Sequence, residues 1–152
     1  MIIGSDGDSR LSKSDRAQGK MQIIICEDDN FIEITVIESI PSCLPTPGNL
    51  HLKITVQSHG FSGQCQAWID NPSLRYFIAQ LKDLKANREG SAEIASILPG
   101  QLWLRISVID SFSNTELTGQ LSQLEHKLEF SFGFCPSNLG NIIDSFQAIV
   151  VR

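Results

Sequence analysis

Alternation of apolar and polar residues is the feature that most constrains the fold of this chain. The stretch NLHLKITVQS, residues 49–58, places an aliphatic side chain at every second position, and QLWLRISVID, residues 101–110, repeats the pattern. Successive side chains of a strand point to opposite faces, so this spacing predicts strands with one buried and one exposed face. Further strands are predicted at residues 21–26, 31–40, 61–69, 91–98, 115–124 and 126–134.

Two segments follow a helical spacing instead. NPSLRYFIAQLKDLK, residues 71–85, has apolar residues at i, i+3, i+4 and i+7, with Asn71 predicted as the N-cap and Pro72 as the first helical residue. SNLGNIIDSFQAIVV, residues 137–151, predicts a second helix capped by Ser137. Short turns between consecutive strands favour antiparallel pairing. The sequence therefore predicts an α+β domain, in which one curved antiparallel sheet of about eight strands is covered by a central and a C-terminal helix.

The length of 152 residues fits one domain. The segment from residue 4 to residue 20 is rich in Ser, Asp, Gly and Lys and contains a single leucine, so it buries too little apolar surface to offset its ordering entropy. We therefore expect a disordered N-terminal tail over residues 1–20 and a single α+β domain over residues 21–152.

The acidic balance and the cysteines narrow the classes of function. A net charge of −5 argues against nucleic-acid binding and is compatible with a basic protein partner. The four cysteines, Cys26, Cys43, Cys65 and Cys135, form no CxxC pair, so we predict no metal or cofactor and interpret them as buried thiols in a reducing cytoplasm. We recognise neither a signal peptide nor a membrane-spanning run of 18 apolar residues.

The stretch HGFSGQCQAWID, residues 59–70, most resembles an enzyme motif. A hydrolase elbow has the pattern G-x-S-x-G on a strand-to-helix turn, but here the glycine after Ser62 comes one residue early and a strand follows. Cys135, at the start of the last helix, is a second candidate nucleophile without an identifiable base. We therefore predict a non-enzymatic protein in which Gly60 and Gly63 serve strand packing or a bulge. A small hydrolase that uses Ser62 or Cys135 is kept as an alternative.

The acidic run Glu27, Asp28 and Asp29 lies in a predicted hairpin turn. Its oxygen ligands would suit a hard cation, but the run lacks the spacing of a calcium loop, so a solvated turn is the alternative. Because opposite charges favour association, we include these three residues among the candidate partner-binding residues.

The tryptophans are the other candidate partner-binding residues. Trp68 shares the polar face of its strand with Gln64 and Gln66, and Trp103 shares that of its own strand with Arg105. Exposed aromatic side chains beside arginine and polar neighbours are typical of protein-binding patches. The alternative is that a helix or loop covers them as a second small core.

The order of these elements resembles the WapI family of bacterial immunity proteins over residues 31–150. The resemblance rests on the following segments: Leu50-His51-Leu52-Lys53-Ile54-Thr55-Val56, Gly60-Phe61-Ser62-Gly63, Leu74-Arg75-Tyr76-Phe77 with Leu81 and Leu84, Gly90-Ser91-Ala92-Glu93, Leu102-Trp103-Leu104, Leu117-Thr118-Gly119-Gln120-Leu121 and Leu128-Glu129-Phe130-Ser131-Phe132.

The resemblance implies a protein that neutralises a toxin domain by binding and occluding it, without turnover. A basic nuclease-type toxin would be the partner, because opposite fields speed encounter. A stand-alone interaction or scaffold protein of the same fold is the alternative, followed by a small-molecule binder. The identity of the toxin, the surface that meets it and the oligomeric state stay open.

Overall fold

The computed structural model describes residues 21–110 and 114–150, so the predicted disordered tail lies outside the described residues. Four strands and a helix are followed by four more strands and a second helix. The strands are β1 (Gln22–Glu27), β2 (Asn30–Ser39), β3 (Leu50–Ser58), β4 (Phe61–Ile69), β5 (Ser91–Ala95), β6 (Leu102–Val108), β7 (Thr115–Gln123) and β8 (His126–Phe134). The α-helices are α1 (Asn71–Asn87) and α2 (Leu139–Ile149), and a short 3-10 helix (Pro136–Asn138) precedes α2.

The predicted α+β class, with eight antiparallel strands, a central helix and a C-terminal helix, is confirmed. The strands form two four-stranded sheets in chain order, which we name sheet 1 (β1–β4) and sheet 2 (β5–β8). Two-residue turns join β1 to β2, β3 to β4 and β7 to β8, and longer loops make the other connections, so consecutive strands stay paired within each half of the chain. The long connection that contains α1 separates β4 from β5, so these two strands do not pair.

Register explains why one face of each sheet is buried. In sheet 1, Ile54 lies opposite Ile34 on one side and Cys65 on the other, and all three are buried. In sheet 2, Leu104 lies between Ile94 and Gly119 in the same way. Because antiparallel partners point to the same face, the alternation of each strand adds up to a continuous apolar surface. Both surfaces and both helices contribute to one core cluster.

The two sheets approach each other closely where β4 meets β7 and β8. A Cβ atom on Gly63 would lie 3.1 Å from Leu128 Cδ2 and 3.2 Å from Leu121 Cδ1. The Ile97 amide also donates to the Trp68 carbonyl at 2.8 Å and so ties the β5–β6 connection to the end of sheet 1. The predicted close packing at Gly63 is therefore observed.

The helices cover the edges of the sheets and pack against each other. Helix α1 packs on the edge strand β5, where the Glu93 amide donates to Gln80 Oε1 at 3.1 Å. Helix α2 packs on β1. Phe77 of α1 and Phe146 of α2 meet edge to face, with ring centroids 5.1 Å apart and planes at 84°. These contacts protect two edge strands that would otherwise offer backbone groups to another chain.

The start of α1 corrects the predicted cap. Asp70, rather than Asn71, is the N-cap, because its backbone is extended and its Oδ1 atom accepts from the Ser73 amide at 2.7 Å. Its Oδ2 atom accepts from the Ser73 hydroxyl at 2.9 Å. Asn71 is the first helical residue, and its own amide donates to Asn49 Oδ1 at 3.0 Å. A β-strand thus passes directly into a capped helix.

We expect Gly119→Ala to destabilise the fold by about 1–3 kcal/mol, because the added methyl overpacks the core. Its Cβ atom would lie 2.6 Å from the Trp103 backbone oxygen and 2.7 Å from Phe130 Cζ. Gly133→Ala is the matched control, since its Cβ atom would have an ordinary 3.5 Å contact. Urea denaturation of both variants measures the free energies of unfolding, and equal values would contradict this account of the packing.

We expect Asp70→Ala to lower the free energy of unfolding by about 1 kcal/mol, because the Ser73 amide loses its capping acceptor. Asp83→Ala is the control within the same helix, because Asp83 is exposed and away from the cap. Thermal denaturation monitored by circular dichroism distinguishes the two variants. An equal or larger loss in Asp83→Ala would show that the cap contributes nothing specific.

Candidate partner-binding surfaces

The first candidate group lies on the outer face of sheet 1. Gln64, Gln66 and Trp68 project from alternate positions of β4; the glutamines are exposed and Trp68 is half-buried. His51 is the cross-strand partner of Trp68, and the two rings stack with centroids 4.8 Å apart and planes at 6°. The imidazole therefore covers one face of the indole. Its stacking orders Trp68 as a flat aromatic platform at one end of the sheet.

The second group, Trp103 and Arg105, lies on the outer face of sheet 2, where both side chains contact the Glu93 carboxylate. Trp103 Nε1 donates to Glu93 Oε2 at 2.6 Å, and Arg105 Nη2 contacts the same oxygen at 3.1 Å. The guanidinium carbon of Arg105 lies 5.0 Å from the centroid of the Trp103 ring. The Glu93 and Arg105 side chains are 43% and 44% exposed, so the ion pair contributes no more than about 1 kcal/mol. Its main consequence is to orient the indole.

The third group is the β1–β2 turn. Asp28 and Asp29 are exposed, and Asp28 adopts a left-handed backbone conformation with φ of 55°. Glu27 is half-buried and its Oε1 atom accepts from the Cys135 amide at 3.2 Å. This carboxylate therefore connects the turn to the end of β8, whereas the two aspartates are available to solvent. Within the described ranges, no group of three or more potential ligands has a geometry suited to a metal ion.

The structure does not gather the three groups into one site. The β1–β2 turn lies beside the β3–β4 turn, because the His59 amide donates to Asn30 Oδ1 at 2.7 Å. Trp68 lies at the other end of β4, about 20 Å away at the ordinary rise of a strand. Trp103 belongs to sheet 2. The predicted residues thus offer two separate areas on sheet 1 and one on sheet 2.

The candidate nucleophiles occupy exposed positions. Ser62 is the second residue of β4, and His59 lies in the preceding turn with φ of 51°. The sulfur of Cys135 lies 3.0 Å from Ser137 Oγ, and the hydrogen bonds to the Ser137 side chain and backbone lower the pKa of this thiol. In the part of the chain that the structure describes, no imidazole hydrogen-bonds to the Ser62 hydroxyl or to the Cys135 sulfur.

The interpretation of all four cysteines as buried thiols is wrong for three of them. Cys26, Cys43 and Cys135 are exposed, and only Cys65 is buried. Burial raises the pKa of Cys65 to about 11, although a backbone hydrogen bond from Ser122 partly offsets it. Cys26 is exposed because the alternation of β1 assigns it to the outer face. The remaining exposed cysteines lie in the loop before β3 and directly after β8. All four thiols are free.

Sequence reasoning missed the residues that hold the two tryptophans. Glu93 lies on the outer face of β5 opposite Arg105, and His51 lies opposite Trp68. The alternation of each strand marks both residues as outward-facing. Their partners depend on the register between strands, which single-strand patterns do not contain.

Comparison with solved structures finds a crystal structure of MRP1/MRP2 from Trypanosoma brucei. It is 11% identical in sequence, and the alignment covers 91% of this chain and 89% of that chain with a TM-score of 0.52. At this identity the likeness concerns the fold alone. No curated protein matches the sequence. In the described residues, no helix is long and apolar enough to span a membrane.

A protein-family model, described as the immunity protein WapI-like family, matches residues 23–152. The match begins in β1 and extends over both sheets and both helices. It therefore includes all three candidate groups and the elements that position them. The chain belongs to the immunity protein WapI-like family.

Proposed function

We propose that this protein neutralises a cognate toxin domain by binding it and occluding its functional surface, without catalysis. The observation that carries the proposal is the family match over residues 23–152, which supports an immunity role in general. An immunity protein of this kind requires a rigid surface of suitable shape and charge. The two sheets, whose buried faces share one core, supply rigid outer faces for such contact.

The distribution of charge favours a basic partner for sheet 1. The segment from β1 to β4 carries five carboxylates, Glu27, Asp28, Asp29, Glu33 and Glu38, against one lysine, Lys53. Sheet 2, from residue 91 to residue 134, carries five carboxylates against two basic residues. A basic nuclease-type toxin domain fits the more acidic sheet 1, because complementary fields accelerate encounter and align the partners.

The aromatic platform gives the proposed interface an anchor. Trp68 is ordered by His51 and flanked on β4 by Gln66, and ordered aromatic side chains contribute most to binding when a partner excludes water around them. We therefore propose the outer face of sheet 1, including the Trp68 platform and the acidic turn, as the toxin-binding surface. The Trp103–Arg105–Glu93 cluster on sheet 2 is the alternative surface. Because all four cysteines are free, we propose that the protein acts in the reducing cytoplasm.

The general proposal is tested by co-expression with the toxin domain encoded by the adjacent reading frame. The full chain should restore growth and should co-purify with that domain. Failure of both would contradict the proposal. If no toxin is encoded nearby and no toxin binds, the alternative of a stand-alone interaction protein gains support.

We expect Trp68→Ala to weaken toxin binding by about 2 kcal/mol, because it removes the aromatic anchor of the proposed interface. Leu124→Ala is the control, since Leu124 is 92% exposed in the β7–β8 turn and lies outside sheet 1. Isothermal titration calorimetry with the adjacent toxin domain measures both affinities. Unchanged binding in Trp68→Ala, together with a loss in Trp103→Ala, would assign the interface to sheet 2 instead.

We expect the double variant Asp28→Asn/Asp29→Asn to associate with the toxin several-fold more slowly at low salt, with little change in the dissociation rate, because exposed rim charges act mainly on encounter. Glu125→Gln/Glu129→Gln removes two exposed carboxylates from sheet 2 and its last turn and is the matched control. Stopped-flow kinetics at two ionic strengths gives both rates. Equal slowing in the two variants would show that net charge alone matters and that the β1–β2 turn is not near the toxin.

A further inference from the structure

A groove runs along α1. It is bounded by α2 over most of its length and, at one end, by Val108, Thr115 and the 3-10 helix, next to the Cys135 amide that donates to Glu27. Three adjoining cavities of about 360, 670 and 340 Å³ lie along it. The first two share Lys82 and Gln147 as lining residues, and the last two share Lys85. The shared residues join the cavities end to end, and we name the whole the helix groove.

The direction of the helices sets the length of this groove. Arg75 of α1 lies near Val150 after α2, whereas Lys85 lies near Gly140 at the start of α2, so the helices run antiparallel. From Arg75 to Arg88 the helix rises by about 20 Å. An extended polypeptide of about six residues has the same length.

Basic side chains line the helix groove from end to end. Arg75, Lys82, Lys85 and Arg88 are all exposed. Spacings of seven and three residues keep Arg75, Lys82 and Lys85 on one side of α1, and Arg88 follows as its C-cap. Asp144 is the acidic residue among the lining side chains. Within the described part of the chain, no ion pair neutralises Lys82, Lys85 or Arg88.

This concentration contrasts with the rest of the protein. Residues 71–88 carry four basic side chains against one carboxylate, in a chain whose net charge is −5. Lys82, Lys85 and Arg88, which no ion pair neutralises in the described residues, attract an anionic group to this part of an acidic protein. In addition, Gly140 leaves room for a lysine, since a Cβ atom there would lie 3.1 Å from Lys85 Nζ.

The apolar part of the lining indicates which kind of anion fits. The partly exposed Val150 lines one end of the helix groove and the partly exposed Val108 lines the other, above the buried Ile78, Leu84 and Leu139. A phosphodiester backbone lacks apolar groups that could pack against these side chains, and the acidic sheets would repel its negative charge. A polypeptide that carries both carboxylates and apolar side chains satisfies the cations and the walls together.

We propose that the helix groove binds an extended acidic segment of a protein partner, with its carboxylates at Lys82 and Lys85 and its apolar side chains against the groove walls. Charge-assisted hydrogen bonds from the two ammonium groups fix the segment along the groove. The proposal rests on the proposed function in that the occupant is a protein. The toxin-bearing partner would then make two contacts with this protein: a basic region on sheet 1 and an acidic segment in the helix groove.

The test selects, from a displayed library of random peptides, those that bind the full chain. The peptides have about 12 residues, twice the number that the groove spans. Enriched peptides are synthesised with a fluorescent label, and their dissociation constants are measured by anisotropy. The test variant is Lys82→Glu/Lys85→Glu. The matched control is Lys53→Glu/Lys127→Glu, which changes the net charge equally but on exposed residues of the two sheets.

We expect the enriched peptides to be acidic with interspersed apolar residues. Their dissociation constants should rise roughly tenfold in the groove variant and stay near the wild-type value in the control, because each reversed lysine replaces an attraction with a repulsion. Thermal denaturation of both variants is the check that each one is folded. Since this test uses no toxin, its failure is distinct from a failure of toxin neutralisation.

Three results would overturn the proposal. The first is a selection that enriches no peptide, or enriches neutral or basic ones. The second is equal weakening in the groove variant and in the control, which would reduce the effect to net charge. The third is displacement of the peptide by a mixed-sequence single-stranded oligonucleotide. If the labelled oligonucleotide also binds the groove variant more weakly than the wild type, the groove is a nucleic-acid site.

Discussion

Cross-strand register between alternating side chains is the constraint on which the rest of the structure depends. Ile54 is buried between Ile34 and Cys65 only because the three strands keep their partners. A slip of one residue would turn every apolar side chain of a strand toward solvent. The same register fixes the outer faces, where it brings His51 to Trp68 and Glu93 to Arg105. The core and the candidate surfaces are therefore two consequences of one arrangement.

Most of the local structure could be predicted from the sequence, because it depends on short-range periodicity. The β4 strand has the predicted bounds, whereas β5 ends earlier than predicted. Ser96 accounts for the difference: its hydroxyl donates to the Leu98 carbonyl at 2.6 Å and accepts from the Leu102 amide at 3.1 Å, which closes a turn. A serine side chain that replaces ladder hydrogen bonds leaves no mark on the alternation pattern.

The arrangement of the strands in two sheets and the exposure of the thiols required the structure. A two-residue period is the same whether eight strands form one sheet or two, so the division follows from where α1 interrupts the meander. Gly63 illustrates the same limit, since its small size indicated close packing but not that Leu121 and Leu128 of the other sheet lie above it. The basic residues 75, 82, 85 and 88 drew no inference from the sequence, because their meaning depends on the groove that α2 bounds.

This acidic protein has two kinds of surface, a pair of acidic sheets and a basic helix groove. Side-chain footprinting with hydroxyl radicals, on the full chain alone and bound to the toxin domain from the adjacent reading frame, tests the central claim most directly. If sheet 1 presents its outer face to the toxin, Trp68 and its neighbours on β3 and β4 should lose reactivity while Trp103 keeps it. Unchanged reactivity at Trp68 in a saturated complex would contradict the claim.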